Sequence, residues 1–279
     1  MYHILVTLNE NYLYPLKVML RSFADNNPGR PFTVHLIHSG LRKADLVQLE
    51  ALLAAEGNLL DVITVPENFF ADAPTLKHYT REMYYRLLAY RLLPPDLDRV
   101  LYLDPDIVVL NPIEPLYGMD LGDHFFAAAE HADLAMREVN RLRLKNPEAK
   151  GYFNTGVLLM NLDLLRREAD TAAIISYIQE NHDRLLLPDQ DVLNALFGHR
   201  VCKLDFFRYN FDARRLALYR LKYDPELDVD WINGNTVFLH YCGKRKPWHK
   251  NYIGNLGFFF DNYARRLAQA EQDLEVYPT

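Results

Sequence analysis

The segment Val100-Leu101-Tyr102-Leu103-Asp104-Pro105-Asp106-Ile107-Val108-Val109 constrains this chain more than any other. Arg99 to Leu103 is a compact apolar run of strand length that terminates at a carboxylate. Residues two apart on a strand face the same way, and Pro105 bends the chain between Asp104 and Asp106, so both carboxylates can converge on one cation. Hard oxygen ligands suit Mg²⁺ or Mn²⁺, ions that also bridge phosphate oxygens. Taken alone, the tripeptide equally suits a plain turn, because Asp and Pro are favoured there. A turn needs no buried run on both sides, however, whereas a rigid site gains from being mounted on a core strand.

The surrounding pattern alternates strands with helices. Ile4 to Thr7 reads as a buried strand, and Leu13, Leu16, Leu20 and Phe23 then recur at helical spacing until Asn26-Asn27-Pro28-Gly29 breaks the helix. A strand over Phe32 to His38, a helix carrying Leu46, Leu49, Leu52 and Leu53, and a strand over Asp61 to Val65 follow. A helix with Tyr84, Tyr85, Arg86, Leu88 and Leu92 ends near Pro94-Pro95, just before the strand that leads to Asp104. Later strand-like runs lie at Phe125 to Ala128, Val157 to Met160 and Val237 to His240, and Ala132 to Lys150 reads as a partly helical excursion over the active face. The expected fold is α/β, one domain over residues 1–262 with a mixed, mainly parallel sheet, and a C-terminal helix and tail over 263–279. Ligands of such sheets bind at the carboxyl ends of strands.

A formal net charge of −6 argues against nucleic acid as a partner and against strong electrostatic attraction to an anionic membrane. Two cysteines, Cys202 and Cys242, fit neither a disulfide framework nor a zinc spacing, and a reducing cytoplasm is expected. The start Met1-Tyr2-His3-Ile4-Leu5-Val6-Thr7 lacks the features of a secretory signal, and no run approaches the roughly 18 apolar residues of a spanning helix, so membrane contact is expected to be peripheral at most.

Phe238-Leu239-His240-Tyr241-Cys242-Gly243-Lys244-Arg245-Lys246-Pro247-Trp248 joins an apparent strand to a basic loop. His240 offers an imidazole ligand, Gly243 allows close backbone approach and Lys246 offers a cation to a diphosphate; a core histidine followed by a solvated basic turn is the plainer alternative. With Leu103-Asp104-Pro105-Asp106, Tyr152-Phe153-Asn154-Thr155-Gly156-Val157-Leu158-Leu159-Met160-Asn161-Leu162 and Asp189-Gln190-Asp191-Val192-Leu193-Asn194 in order between them, the chain resembles glycosyltransferase family 8, which includes glycogenin and bacterial lipopolysaccharide glucosyl- and galactosyltransferases.

That resemblance implies a GT-A type fold, a divalent metal, usually Mn²⁺, with Mg²⁺ the other candidate, and retention of anomeric configuration. It implies a UDP-glucose or UDP-galactose donor and a glycan, lipid-linked sugar or protein acceptor. Carried over position by position, Asp104, Asp106 and His240 match the metal ligands, while Gly243 and Lys246 match diphosphate contacts. Thr7, Asn9, Asn11 and Tyr12 fall where the first strand and turn hold the uridine, with Asn9 standing where similar enzymes often carry aspartate. Arg86, Asn154 and Thr155 fall near the donor and its sugar, although by residue type alone Arg86 suits a surface ion pair and Asn154 a turn. Asp189 falls on the donor sugar and Gln190 beside the anomeric carbon; a carboxamide is a poor nucleophile, so Gln190 is expected to stabilise an oxocarbenium-like centre or position the acceptor. A non-catalytic nucleotide-sugar-binding module and a metal-dependent phosphohydrolase are the competing readings.

Overall fold

The structure is a computed structural model and describes residues 1–65, 82–130, 139–140, 143–144 and 151–276. Ten strands are labelled in chain order among these: β1 Tyr2–Asn9, β2 Phe32–Ser39, β3 Leu59–Ile63, β4 Arg99–Leu103, β5 Ile107–Val109, β6 Phe126–Glu130, β7 Phe153–Asn161, β8 Val201–Leu204, β9 Phe211–Asp212 and β10 Phe238–His240. A seven-stranded sheet runs β3-β2-β1-β4-β7-β6-β8 and a three-stranded sheet runs β5-β10-β9.

β1 lies between β2 and β4 and is parallel to both, so the chain winds outward to β3 and then returns to the other side of β1. The strand order reverses there, which opens a crevice at the carboxyl ends of β1 and β4. β7 runs antiparallel to β4, pairing Leu103 with Val157, and β6 runs antiparallel to β7 but parallel to β8. The expected mixed, mainly parallel sheet is therefore present.

Parallel strands covered on both faces read as continuous apolar runs, and Ile4, Leu5, Val6, Val100, Leu101, Tyr102 and Leu103 are all buried. Helix Leu13–Asn26 covers one face with Leu16, Met19, Leu20 and Phe23, the helical spacing seen in the sequence. Its polar side satisfies the short strand β5: Val109 N donates to Ser22 Oγ (2.9 Å), and Asn26 Nδ2 donates to Val109 O (3.0 Å). Buried backbone groups left unpaired would be destabilising, so these side chains let the small sheet begin beside the large one.

β3 occupies Leu59–Ile63 rather than Asp61 to Val65, in register with Thr33–Ile37 of β2. It is an edge strand whose Leu59 and Val62 are exposed, so hydrophobicity does not mark its bounds. The last helix, Gly257–Val276, starts before the expected boundary at 263, because Phe259, Phe260, Tyr263 and Leu267 already bury one helical face. It packs on helix Leu13–Asn26, and Asn26 Nδ2 donates to the Tyr263 hydroxyl at 2.7 Å. Of the excursion expected over Ala132 to Lys150, residues 139–140 and 143–144 are described, with Leu144 N donating to Asn140 O (2.8 Å) as in a helical turn; the rest lies outside the described residues. Among the described residues no helix is long and apolar enough to cross a membrane.

Candidate active site

Asp104-Pro105-Asp106 is the bridge between the two sheets: β4 of the large sheet ends before it and β5 of the small sheet begins after it. Both ends are pinned by backbone bonds, Asp104 N to Gly156 O of β7 (2.8 Å) and Tyr241 N, just past β10, to Asp106 O (3.0 Å). β10 pairs His240 with Ile107 of β5, which brings the imidazole to the carboxylates. His240 Nε2 lies 3.1 Å from Asp106 Oδ1 and 3.7 Å from Asp104 Oδ2. The ligand-capable atoms of the three residues all lie within 4.8 Å of one another, and no other such group of His, Cys, Asp and Glu occurs among the described residues.

The donor set fits a hard divalent ion. His240 Nδ1 is 2.8 Å from Asn210 Oδ1, an acceptor that fixes a proton on Nδ1 and turns Nε2 toward the carboxylates. Asn210 is itself held, its Nδ2 donating to Asn154 Oδ1 (2.7 Å), which also accepts from Gly156 N (2.8 Å). A Cβ at Gly156 would stand 2.4 Å from His240 Cε1 and 2.7 Å from Asp104 Oδ2, so the glycine is what lets β7 pass behind the group.

Burial opposes ionisation of Asp106, but His240 and Lys246 outweigh it and hold the carboxyl below the usual range. Lys246 Nζ donates to Asp106 Oδ2 and to Tyr241 O (2.8 Å) and is buried, so the basic loop turns this cation inward. Its ammonium lies about 6 Å from the rings of Tyr12 and Trp248, which meet edge to face. Gly243 has a φ of +84°, the left-handed region glycine supplies, and a Cβ there would stand 2.4 Å from Arg214 Nη1. The group that approaches it is thus Arg214, held through two bonds by Asp212.

On the other flank, Arg86 Nη1 bridges Asp104 Oδ1 (3.1 Å) and Asp189 Oδ2 (3.0 Å) and donates to Thr155 O (3.2 Å), with its guanidinium stacked 4.4 Å from the Tyr102 ring centroid. The surface ion pair that its residue type allows is not what forms. Thr155 Oγ1 donates to Asp189 Oδ2 at 2.9 Å, and Gln190, next along helix Pro188–Phe197, is buried. Thr7 is buried at the end of β1, its Oγ1 3.4 Å from the Tyr102 hydroxyl, which donates to Asp104 Oδ1 (2.6 Å). Asn9 Oδ1 accepts from Asn11 N (3.1 Å), so this amide oxygen caps the turn Glu10–Tyr12, and Asn11 is exposed. The structure therefore brings Asp104, Asp106 and His240 together, with Lys246 against Asp106 and with Arg86, Thr155 and Asp189 joined to Asp104, while Asn11 faces solvent and Gly243 faces Arg214.

Tyr102 and Asn210 were not singled out by the sequence. Tyr102 stands two residues before Asp104, and strand alternation carries a signal for it. Asn210 follows Phe206-Phe207-Arg208-Tyr209 and has no local signal of its role.

A doubly wound sheet whose switch crevice carries paired carboxylates, an opposing histidine and buried cations is the architecture of a GT-A glycosyltransferase. The chain belongs to glycosyltransferase family 8, whose family model, described as "Glycosyl transferase family 8", matches residues 3–252. Among its relatives is a lipopolysaccharide 1,2-glucosyltransferase of Escherichia coli, 30% identical over 87% of this chain and 71% of that protein. Another is general stress protein A of Bacillus subtilis, 28% identical over 89% of this chain and 88% of that protein. Among solved structures, the galactosyltransferase LgtC in complex with donor and acceptor sugar analogues superposes with a TM-score of 0.79 at 27% identity, covering 95% of this chain and 96% of that one. The protein is a glycosyltransferase.

Proposed function

We propose that this enzyme is a retaining hexosyltransferase that moves glucose or galactose from a UDP-sugar to an acceptor hydroxyl, assisted by a divalent ion, Mn²⁺ before Mg²⁺. The observation that carries the reading is the convergence of Asp104, Asp106 and His240 at the sheet switch, with Lys246 on one flank and Arg86, Asp189 and Gln190 on the other. A bound ion supplies charge that offsets the departing diphosphate. Asp104, Asp106 and His240 would hold it, and Asn210 orients the imidazole. Thr7, Asn9, Asn11 and Tyr12 take the uridine at the end of β1. Lys246 and the Gly243 backbone take the diphosphate, and Lys246 leaves Asp106 to do so.

Asp189, fixed by Arg86 and Thr155, aligns the donor sugar with Asn154 and Thr155. Gln190 offers its carbonyl dipole to positive charge developing at the anomeric carbon, and the acceptor attacks on the face that the diphosphate leaves. One solved form of LgtC carries a glutamine-to-glutamate substitution in its active site, which accords with a glutamine there. The acceptor is a glycan, a lipid-linked sugar or a protein; lipopolysaccharide enzymes among the relatives favour a lipid-linked glycan. Such an enzyme works in the cytoplasm, touching the inner face of a membrane peripherally.

The reading is tested by incubating a panel of UDP-sugars with Mn²⁺ and measuring UDP release with and without sugar acceptors. Release that proceeds at full rate with water and gains nothing from any acceptor would replace a transferase with a hydrolase.

Two substitutions probe the walls of the site. Lys246→Ala should weaken UDP binding at least tenfold, since a buried diphosphate loses a charge-assisted partner worth roughly 1.5 to 3 kcal/mol. Unchanged affinity by calorimetry would take Lys246 out of the diphosphate site. Gly156→Ala should weaken Mn²⁺ binding, because its methyl group occupies space held by His240 and Asp104. Wild-type Mn²⁺ affinity in a folded Gly156→Ala protein would show that the ion binds elsewhere.

A further inference from the structure

Asp191 follows Gln190 in the first turn of helix Pro188–Phe197 and is fully buried. Its Oδ1 accepts from Arg143 Nη2 (2.6 Å) and the Tyr152 hydroxyl (2.6 Å). Its Oδ2 accepts from Arg143 Nη1 (2.8 Å), Leu186 N (2.7 Å) and Leu187 N (3.0 Å). A carboxylate has about four lone-pair sites, and these five bonds fill them, so Asp191 has no capacity left to act as base or nucleophile. Its work is mechanical.

Each partner belongs to a different piece of the site. Leu186 and Leu187 form the approach to the helix that carries Asp189 and Gln190. Tyr152 precedes β7, which carries Asn154, Thr155 and Gly156, and its hydroxyl also takes a hydrogen bond from Gln190. Arg143 reaches in from the excursion, bonding Asn140 Oδ1 (2.9 Å) and Arg184 O (2.8 Å) as well. The bidentate fork fixes an angle as well as a distance, which a lysine in that place would not.

We propose that Arg143 is a positioning residue: through Asp191 and Tyr152 it sets the Gln190 carboxamide, so that Arg143, held by Asn140, governs the chemical step without touching the donor. This rests on the reading of Gln190 as the residue beside the reacting carbon. A displacement of about 1 Å at a reacting centre can lower a rate by a hundredfold, so a clasp at one remove has leverage over turnover. Binding of UDP, which sits on the β1 side of the crevice, should be indifferent to it.

The test uses the full chain with Mn²⁺ and the UDP-sugar that gives turnover. Arg143→Ala should lower kcat roughly tenfold or more and leave UDP affinity within a factor of about three. Tyr152→Phe should act likewise, and the double variant should be little worse than either, since one chain of contacts is cut twice. Arg143→Lys should not restore the rate, whereas guanidinium ion added to Arg143→Ala should restore part of it. Hydrogen exchange gives a readout independent of turnover: the Leu186 and Leu187 amides should be protected in the wild type and exposed in Arg143→Ala. Wild-type kcat in a variant whose amides have lost protection overturns the positioning role, and amides that keep their protection overturn the clasp itself. If the wild type turns over no UDP-sugar while those amides are protected, the donor reading fails and the positioning role falls with it, though the clasp stands.

Discussion

Asp106→Asn should lower transfer by orders of magnitude, and Asp104→Asn should do nearly as much. Chelation should abolish activity in the wild type and added Mn²⁺ should restore it. Asp106 is buried between His240 and Lys246, and its charge is what both cations answer. An amide of the same shape removes the anion from a place where the surroundings screen little, so attraction for a divalent ion falls steeply. Asp104 is more exposed, and its Oδ1 is shared between Arg86 and Tyr102, leaving Oδ2 toward His240. His240→Ala should be milder, because water can take an imidazole's coordination position. A carboxylate and imidazole set favours Mn²⁺ over Ca²⁺, so Mn²⁺ should give the highest rate among hard divalent ions. Losing Asp106 also leaves Lys246 buried without its anion, which is destabilising. Rates are therefore to be compared at temperatures where circular dichroism shows each variant folded. Full activity of Asp106→Asn in chelator would remove the metal from the mechanism.

What the sequence showed of this molecule follows from how its parts are encoded. β1 and β4 are buried on both faces and so appear as largely apolar runs, β2 is legible from its β-branched and apolar residues although it buries Thr33 and His35, and the parallel arrangement follows from the helices between the strands. β10 is legible as the run Val237 to His240, but β9 is two residues long and β5 three, too short for periodicity to register, so the second sheet as a whole is not legible. The consequence reached the site: Asp104 and Asp106 appear in the sequence as neighbours at one strand end, whereas they belong to the junction of two sheets. Arg86 shows a second limit. Its helix position is compatible with the surface, and only the path of β7 behind it reveals that it points inward to Asp104, Asp189 and Thr155. The same holds for Asp191, which as sequence is one more acid at a helix start and in the fold joins its own helix and the approach to it to Arg143 and Tyr152.

Gln190→Ala should reduce kcat by roughly a hundredfold or more while UDP binds within a factor of about three of wild type. The expectation rests on where the neighbours of Gln190 are committed. Asp189 is engaged by Arg86 and Thr155, and Asp191 by Arg143, Tyr152 and two backbone amides. Asn194 Nδ2 donates to Gln190 O and Phe153 O (2.8 Å each), and Asn194 Oδ1 accepts from Phe153 N (2.6 Å), which locks this turn of the helix to β7. The backbone at Gln190 is therefore held independently of its side chain, and truncation should leave the frame in place. Nothing in that frame belongs to the Thr7–Tyr12 turn or to Lys246, where the nucleotide is proposed to sit. Truncation should thus remove an interaction that strengthens only as positive charge develops on the sugar. Asp189→Asn should behave similarly with a smaller separation, because Arg86 would lean harder on Asp104 once its second carboxylate is gone. Single-turnover rates set against calorimetric UDP affinities decide the matter. If Gln190→Ala lowers both in proportion, Gln190 lines the nucleotide pocket and the assignment of the reacting centre to the first turn of this helix is wrong.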